Sequence, residues 1–446
     1  MKKIYSVLAS VMLLSSSAFA QDAVSTGIDI ASATPLFDIS LETYGVTAGG
    51  TIRPSLAMCG ENLVLNLGDG SKPIYLDPVT GEKKGEIIVG IADPKGSVAS
   101  DSKGNMLIAS YCETGTFKIF KTSKVNGVPM EWASVENPFS GLKLGTRLDI
   151  NGDLDGNAVV AATFEGLYAQ YMMQWVVKDG VVGEATMVTI EGVNQWAGGC
   201  NNTKVIFRSS NVEDGYFLGH YYWGEDLDKF YFVDGTTNAA KSNVQDTSGS
   251  SWAYAPNSGD AIEFNGAKYL VIQDLSYFGY WAMSTYLYLY DVTDISKFSG
   301  ELGTEATGCL GDIEMTVYHR DANAETGDPG FPCSQTDTDG MCTGDVLIAT
   351  TENDMVIYSV SNVDLGIKAV KFSKNSGVSA VETSDIRAYA VNGNIVVNNP
   401  NAENVTVYTV AGAEVANTSA ADASIAVAPG LYIVKAGNAA QKILVK

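Results

Sequence analysis

"CGENLVLNL", residues 59–67, joins a tight turn to a strand with apolar residues on both faces, and the construction returns five more times. The other copies are "SKGNMLIAS" (102–110), "DLDGNAVVAA" (153–162), "CNNTKVIFRS" (200–209), "FNGAKYLVIQ" (264–273) and "CTGDVLIAT" (342–350). Anchored on Gly60, Gly104, Gly156, Asn202, Gly266 and Gly344, the copies are 44, 52, 46, 64 and 78 residues apart. A short strand precedes each turn, as in "RPSLAMC". After each copy comes a loop and another strand, such as "PIYLDPVTG", "TFKIFKTSKVNG" or "TYLYLYDVTD", and then a weaker one, such as "EWASV" or "IKAVKF". Four antiparallel strands repeated about every 50 residues is the arithmetic of a β-propeller blade, whose faces are buried only by stacking on neighbours. A pair of β-sandwiches would account for strands and turns, but not for six copies of one order. The expectation is an all-β chain with a propeller of six blades over roughly residues 36–375, with seven as the alternative count. Residues 36–50 are candidates to close the ring on the last blade.

The 446-residue chain opens with "MKKIYSVLASVMLLSSSAFA", a basic start, a short apolar run and an Ala-Phe-Ala end. That pattern is expected of a secretory signal peptide over residues 1–20, and the run is too short to span a bilayer. Without Lys2 and Lys3 the formal charge becomes −25, which disfavours nucleic acid and anionic lipid and suits cations or neutral sugars. Two histidines, His220 and His319, supply a zinc site or a Ser-His-Asp triad poorly. Of the six cysteines, Cys333 and Cys342 bracket a short polar loop and are either bridged or free. Cys59, Cys112, Cys200 and Cys309 read as small buried residues or unassignable pairs.

With strands lettered A to D from axis to rim, the B–C and D–A loops of every blade emerge on one face and the A–B and C–D turns on the other. The expected B–C loops of repeats four and five are long, "SSNVEDGYFLGHYYWGEDLD" and "DLSYFGYWAMST". They hold Tyr216, Phe217, Tyr221, Tyr222, Trp223, Tyr277, Phe278, Tyr280 and Trp281, and adjoining D–A segments add Trp196 and Trp252. Such rings stack on sugars or a protein partner, or else pack the loops themselves. An acid also follows each expected strand B: Asp69, Glu113, Glu165, Glu213 with Asp214, Asp274, and Glu352 with Asp354. Around an axis they would form an acidic ring able to hold a cation, bind hydroxyls or supply a carboxylate pair, though acids are also common at loop starts of an acidic protein. Arg53 and Arg147 are expected near the same mouth, pairing with the acids or holding a carboxylated ligand. Asp149, Asn151, Asp153 and Asp155 in "LDINGDLDGN" alternate like calcium ligands but lack the downstream glutamate of an EF-hand, and a plain turn explains them as well. No cofactor other than Ca²⁺ is suggested.

A Ser- and Gly-bearing linker, about 376–385, leads to short strands over 386–446 that read as a small β-sandwich. Three pieces, "VTVYTVAGAEV" (405–415), "VAPGLYIVKAG" (427–437) and "QKILVK" (441–446), resemble the C-terminal sorting domain of the Bacteroidetes type IX secretion pathway, or a related surface domain of gut species. The family's usual opening "PNP" is replaced here by "YAVNGNIVV". The resemblance implies export to the outer surface or the medium, with the domain either cleaved or retained, and periplasmic residence as the alternative. Residues 36–375 resemble secreted propellers of the same bacteria only loosely. The expected function is a monomeric binding protein for a glycan or a surface protein. A glycan-acting hydrolase or lyase and a structural adhesion component are the alternatives.

Overall fold

The computed structural model describes residues 28, 30–46, 52–87, 95–165, 170–193, 203–220, 229–245, 256–278, 282–314, 344–362, 365–374, 387–391, 393–399, 402, 404–410, 412–436 and 439–445. Two compact units emerge, one over residues 28–374 and one that includes 375–446.

The first unit is a six-bladed β-propeller. Blade one is Ser55–Cys59, Asn62–Asn66, Ile74–Leu76 and Lys83–Glu86. Blade two is Val98–Ser100, Met106–Ala109, Thr116–Thr122 and Met130–Glu136. Blade three is Lys143–Gly152, Ala158–Glu165, Tyr171–Lys178 and Thr186–Thr189, with a two-residue strand, Val181–Val182, also on its third strand. Blade four is Val205–Phe207, Tyr216–His220, Lys229–Asp234 and Ala239–Gln245, and its outer edge is extended in parallel by Gly300–Glu301 from blade five. Blade five is Pro256–Phe264, Ala267–Phe278, Ala282–Asp291 and Cys309–Glu314. Blade six takes Gly344–Thr350, Asp354–Ser361 and Gly366–Ser373 from the end of the propeller and its outermost strand, Thr34–Ser40, from the beginning. The ring is thus closed by pairing the first strand of the unit with its last.

The innermost strands touch in cyclic order from blade one to blade six and back to one. Between each neighbouring pair of blades lies one apolar layer. Leu107, Phe117, Leu148 and Trp175 fill the space between blades two and three; Phe207, Tyr216 and Val159 do so between three and four; Phe217, Phe230, Tyr290 and Phe298 between four and five. Phe37, Leu63 and Ile367 join blade six to blade one. Successive side chains of a strand point to opposite faces, so a strand between two neighbours must be apolar on both, as the motif is.

Two repeats are shifted by one strand from the sequence expectation. "KVIF" and "GDVLIAT" lie on strand A of blades four and six, not on strand B. In blade four, the expected long B–C loop contains strand B itself: Tyr216 and Phe217 are fully buried core. In blade five, strands B and C run through the expected loop, with Tyr277 opposite Met283 and Phe278 opposite Ala282. Among the described cysteines, Cys59, Cys112 and Cys309 are buried thiols, while Cys200, Cys333 and Cys342 lie outside the described residues.

The second unit is a β-sandwich. Arg387–Val391, Asn394–Asn398 and Asp422–Ala426 form one sheet; Glu414–Thr418, Val405–Thr409, Gly430–Ala436 and Ala439–Val445 form the other. Ile395, Val397, Val405, Val407, Val434 and Ile443 make its core. Tyr432 of the Pro-Gly-x-Tyr piece is 8% exposed, and its hydroxyl donates to Ala428 O at 2.8 Å.

Candidate functional site: an axial cavity around a buried lysine

The innermost strand of a blade has a free backbone edge facing the axis, and its N–H groups need partners. Here side chains of one blade cap the edge of the next. Val98 N donates to Ser55 Oγ (3.0 Å), Phe207 N to Asp149 Oδ2 (3.1 Å), Ile348 N to Asp260 Oδ2 (2.6 Å) and Leu56 N to Asp345 Oδ2 (2.9 Å). These bonds tie blades one to two, three to four, five to six and six to one.

Three of the capping groups are carboxylates, and Lys204 of blade four gathers them. Its ammonium lies 3.0 Å from Asp345 Oδ1 and 3.8 Å from Asp149 Oδ1, and donates to Val346 O at 3.2 Å. Ser258 Oγ donates to Asp345 Oδ1 at 3.2 Å. Burial would lower the Lys204 pKa, but the field of Asp345, Asp149 and Asp260 outweighs it and holds the pKa above its ordinary value. Burial pushes Asp149 up to about 6 and Asp260 up to about 7, although Lys204 opposes both shifts. A charged lysine thus shares a low-dielectric site with three acids. Arg147, 2% exposed, reaches from blade three to Pro54 O beside blade one (3.0 Å).

Lys204, Asp149 and Asp260 line a cavity of about 630 Å³. Its wall also includes Gly60, Glu61, Gly104, Gly152 and Thr351, so it lies at the A–B end of the axis. From there it extends between blades six and one. Leu347, Val356, Lys371 and Leu36 come one from each strand of blade six, and Pro78 and Val79 from the C–D turn of blade one. Tyr358 O–H donates to Pro78 O at 3.1 Å, fixing its ring in that wall. Cavities of this size are ordinary for small-molecule sites.

The acids expected to form one ring are divided between both faces. Asp69 and Glu113 sit in B–C loops, where Asp69 accepts Ser71 N (2.8 Å) and Glu113 accepts the Tyr111 hydroxyl (2.6 Å). Glu165 ends strand B of blade three, and Asp274 is fully buried within strand B of blade five. Glu213 and Asp214 fall in the A–B connection of blade four and Glu352 in that of blade six, with Asp354 opening the strand that follows. The strand shift in those blades moves them to the opposite face. Arg53 is half-buried just before strand A of blade one.

The calcium-like string does not converge. Asp149 serves Phe207 N and Lys204, Asn151 donates to Phe207 O (2.9 Å) and Ala261 O (3.1 Å), Asp153 accepts Asp155 N (2.8 Å), and Asp155 pairs with Lys121 at 2.6 Å. Among the described residues no group of three or more His, Cys, Asp or Glu could hold a metal ion. Trp196, Tyr221, Tyr222, Trp223, Trp252, Tyr280 and Trp281 lie outside the described residues, and Tyr277 is described only by its place in strand B.

Sequence reasoning missed Lys204, Asp260 and Asp345 and singled out Asp149 only as a calcium ligand. The available signal was a charged residue next to an apolar inner strand, as in "TKVIF", "SGDAI" and "TGDVLI".

Residues 35–373 match the model of a domain of unknown function, DUF8500. The chain belongs to the DUF8500 family. The match covers the propeller and ends before the β-sandwich, and the comparisons show no sorting-domain family. No curated protein matches the sequence. Among solved structures, a DUF4623 family protein from Bacteroides eggerthii is similar at a TM-score of 0.53 and 15% identity, over 78% of this chain and 76% of that one. An α-L-arabinanase of Penicillium chrysogenum, complexed with arabinobiose, aligns at a TM-score of 0.41 and 10% identity, over 77% of this chain and 100% of that one. The Dos1 propeller aligns at 0.37 and 9%, over 78% and 97%. At such identities the likeness concerns the fold alone. Among the described residues, no helix is long and apolar enough to cross a membrane.

Proposed function

We propose that this DUF8500 protein is an exported, non-enzymatic binding protein that takes a small extended ligand into the axial cavity. The observation that carries this reading is the 630 Å³ cavity built around Lys204, Asp149 and Asp260. Its donors and acceptors are held rigidly by bonds between blades, and such preorganisation favours selective binding. Asp149 Oδ2 and both Asp260 oxygens accept backbone N–H groups, which argues for a fixed recognition surface over proton transfer in a turnover cycle. The reading requires no cofactor and treats the protein as a monomer. The C-terminal β-sandwich serves, on this reading, as a sorting or surface domain.

The mature protein, screened against a glycan array and an arrayed peptide library, is expected to bind saturably without converting the ligand. Release of reducing ends or unsaturated sugars would replace this reading with a hydrolase or lyase. Binding that survives Asp260→Asn and Val79→Asp but is lost with Trp223→Ala and Trp281→Ala together would move the site to the aromatic loop segments. Mass spectrometry of the exported protein tests the sorting role: a C-terminus near residue 380 means a cleaved label, an intact Lys446 a retained domain.

A further inference from the structure

We infer that the ligand is a short extended peptide segment that sets a basic side chain against Asp149 and Asp260 and lays apolar residues outward between blades six and one. This rests on the cavity being the binding site and adds the class of ligand.

The argument begins with charge. Five carboxylates (Glu61, Asp101, Asp149, Asp260 and Asp354) and three ammonium groups (Lys103, Lys204 and Lys371) line the cavity. Asp345 takes the short bond to Lys204, leaving Asp149 Oδ1 at 3.8 Å from that ammonium, beyond hydrogen-bond reach. One cation therefore stands among three acids, and the uncompensated negative charge faces the cavity through Asp149 and Asp260. An ammonium or guanidinium group would complete the balance and gain charge-assisted bonds. The chain as a whole carries a net charge of −23, which draws a cationic ligand toward it.

Shape and lining supply the rest. Every strand of blade six contributes to the wall, so the cavity spans three inter-strand steps, roughly 14 Å. That length takes about four residues of extended chain. Away from the axis the wall is mainly aliphatic: Leu36, Pro78, Val79 and Val356, with Tyr358 as the aromatic ring and Lys371 as the charged group. A sugar-binding surface would offer several flat aromatic faces. Aliphatic side chains of a peptide fit this lining better, and Val79, 57% exposed, stands at its rim.

The test uses the mature full-length protein and two fluorescein-labelled pentapeptides, lysine followed by leucine, valine, leucine and valine, and the same peptide with norleucine in place of lysine. Fluorescence anisotropy at low salt and pH 7.5 is expected to show the lysine peptide binding about tenfold tighter or more. Asp260→Asn should shrink that difference, and Val79→Asp should weaken the norleucine peptide severalfold. Circular dichroism checks both variants. If Asp260→Asn does not fold, the peptide pair and the surface variant Val79→Asp still decide. Equal affinity for the two peptides, or no effect of Val79→Asp, overturns the inference while leaving a binding protein. Failure of both peptides alongside glycan-array binding also overturns it. Absence of binding to anything arrayed overturns the proposed function itself.

Discussion

Asp345 of the last blade accepts the backbone N–H of Leu56 in the first at 2.9 Å, while its other oxygen holds Lys204 at 3.0 Å. One carboxylate thus seals the junction where the propeller closes and anchors the charge at its axis. Asp345→Ala leaves a buried ammonium short of its nearest partner and Leu56 N unpaired. Loss of such a partner costs about 3–5 kcal/mol. Urea denaturation should show a loss of that order, and a change below about 1 kcal/mol would mean that the junction does not depend on this group.

Asp149 and Asp260 make stability depend on pH in an unusual direction. Unfolded, both lose their protons near the ordinary carboxylate pKa of about 4. Folded, they keep them until about 6 and about 7. The folded state binds more protons across that window, so their contribution to stability falls as pH rises from about 4 to about 7. The melting temperature of Asp149→Asn, measured relative to the wild type, should therefore climb between pH 4.5 and 7.5. A difference that stays flat with pH excludes the linkage.

The N-terminal strand Thr34–Ser40 supplies the fourth strand of blade six and buries Phe37. A mature chain begun at residue 41 exposes the edge of Gly366–Ser373 and part of the apolar layer beneath. Open edges of this kind pair with other chains. Size-exclusion chromatography should show aggregation of the truncated protein; a monomer with native melting behaviour would show that the ring holds without its closing strand.

Phe217 is fully buried between blades four and five, 5.2 Å from the Phe298 ring. Phe217→Ala should cost about 3–5 kcal/mol. A surface-loop position would cost less than about 0.5 kcal/mol, so chemical denaturation separates the two placements directly.

Two motif glycines meet at the cavity rim. Gly60 N donates to Gly104 O at 2.9 Å, and a Cβ on Gly104, whose φ is +77°, would stand 2.7 Å from Gly60 O. Gly104→Ala is expected to destabilise by roughly 1–3 kcal/mol through backbone strain and this contact. A substitution without effect on the melting temperature would show that the turns separate freely.

Much of the architecture was legible in the chain. "CGENLVLNL" and its five relatives carry apolar residues on both faces of a short strand, which only a strand stacked between neighbours needs, and their recurrence supplied six blades. The strand each copy occupies was not legible. "KVIF" and "GDVLIAT" read like the strands of other blades, yet they lie one position nearer the axis; in blade six, three strands follow in sequence and the outer one comes from Thr34–Ser40, far away in the chain. Successive strands run antiparallel, so a shift of one strand moves every adjoining turn to the opposite face. Glu352 and Glu213 crossed faces for that reason, and Tyr216 passed from an expected loop into the core. The sequence by itself determined strand character, repeat number and the glycine turns, which are local properties. Only the tertiary structure decided that Asp149, Lys204, Asp260 and Asp345, spread over nearly 200 residues, meet at one axis, because ring closure brings the inner strands together and burial then forces their charges to pair.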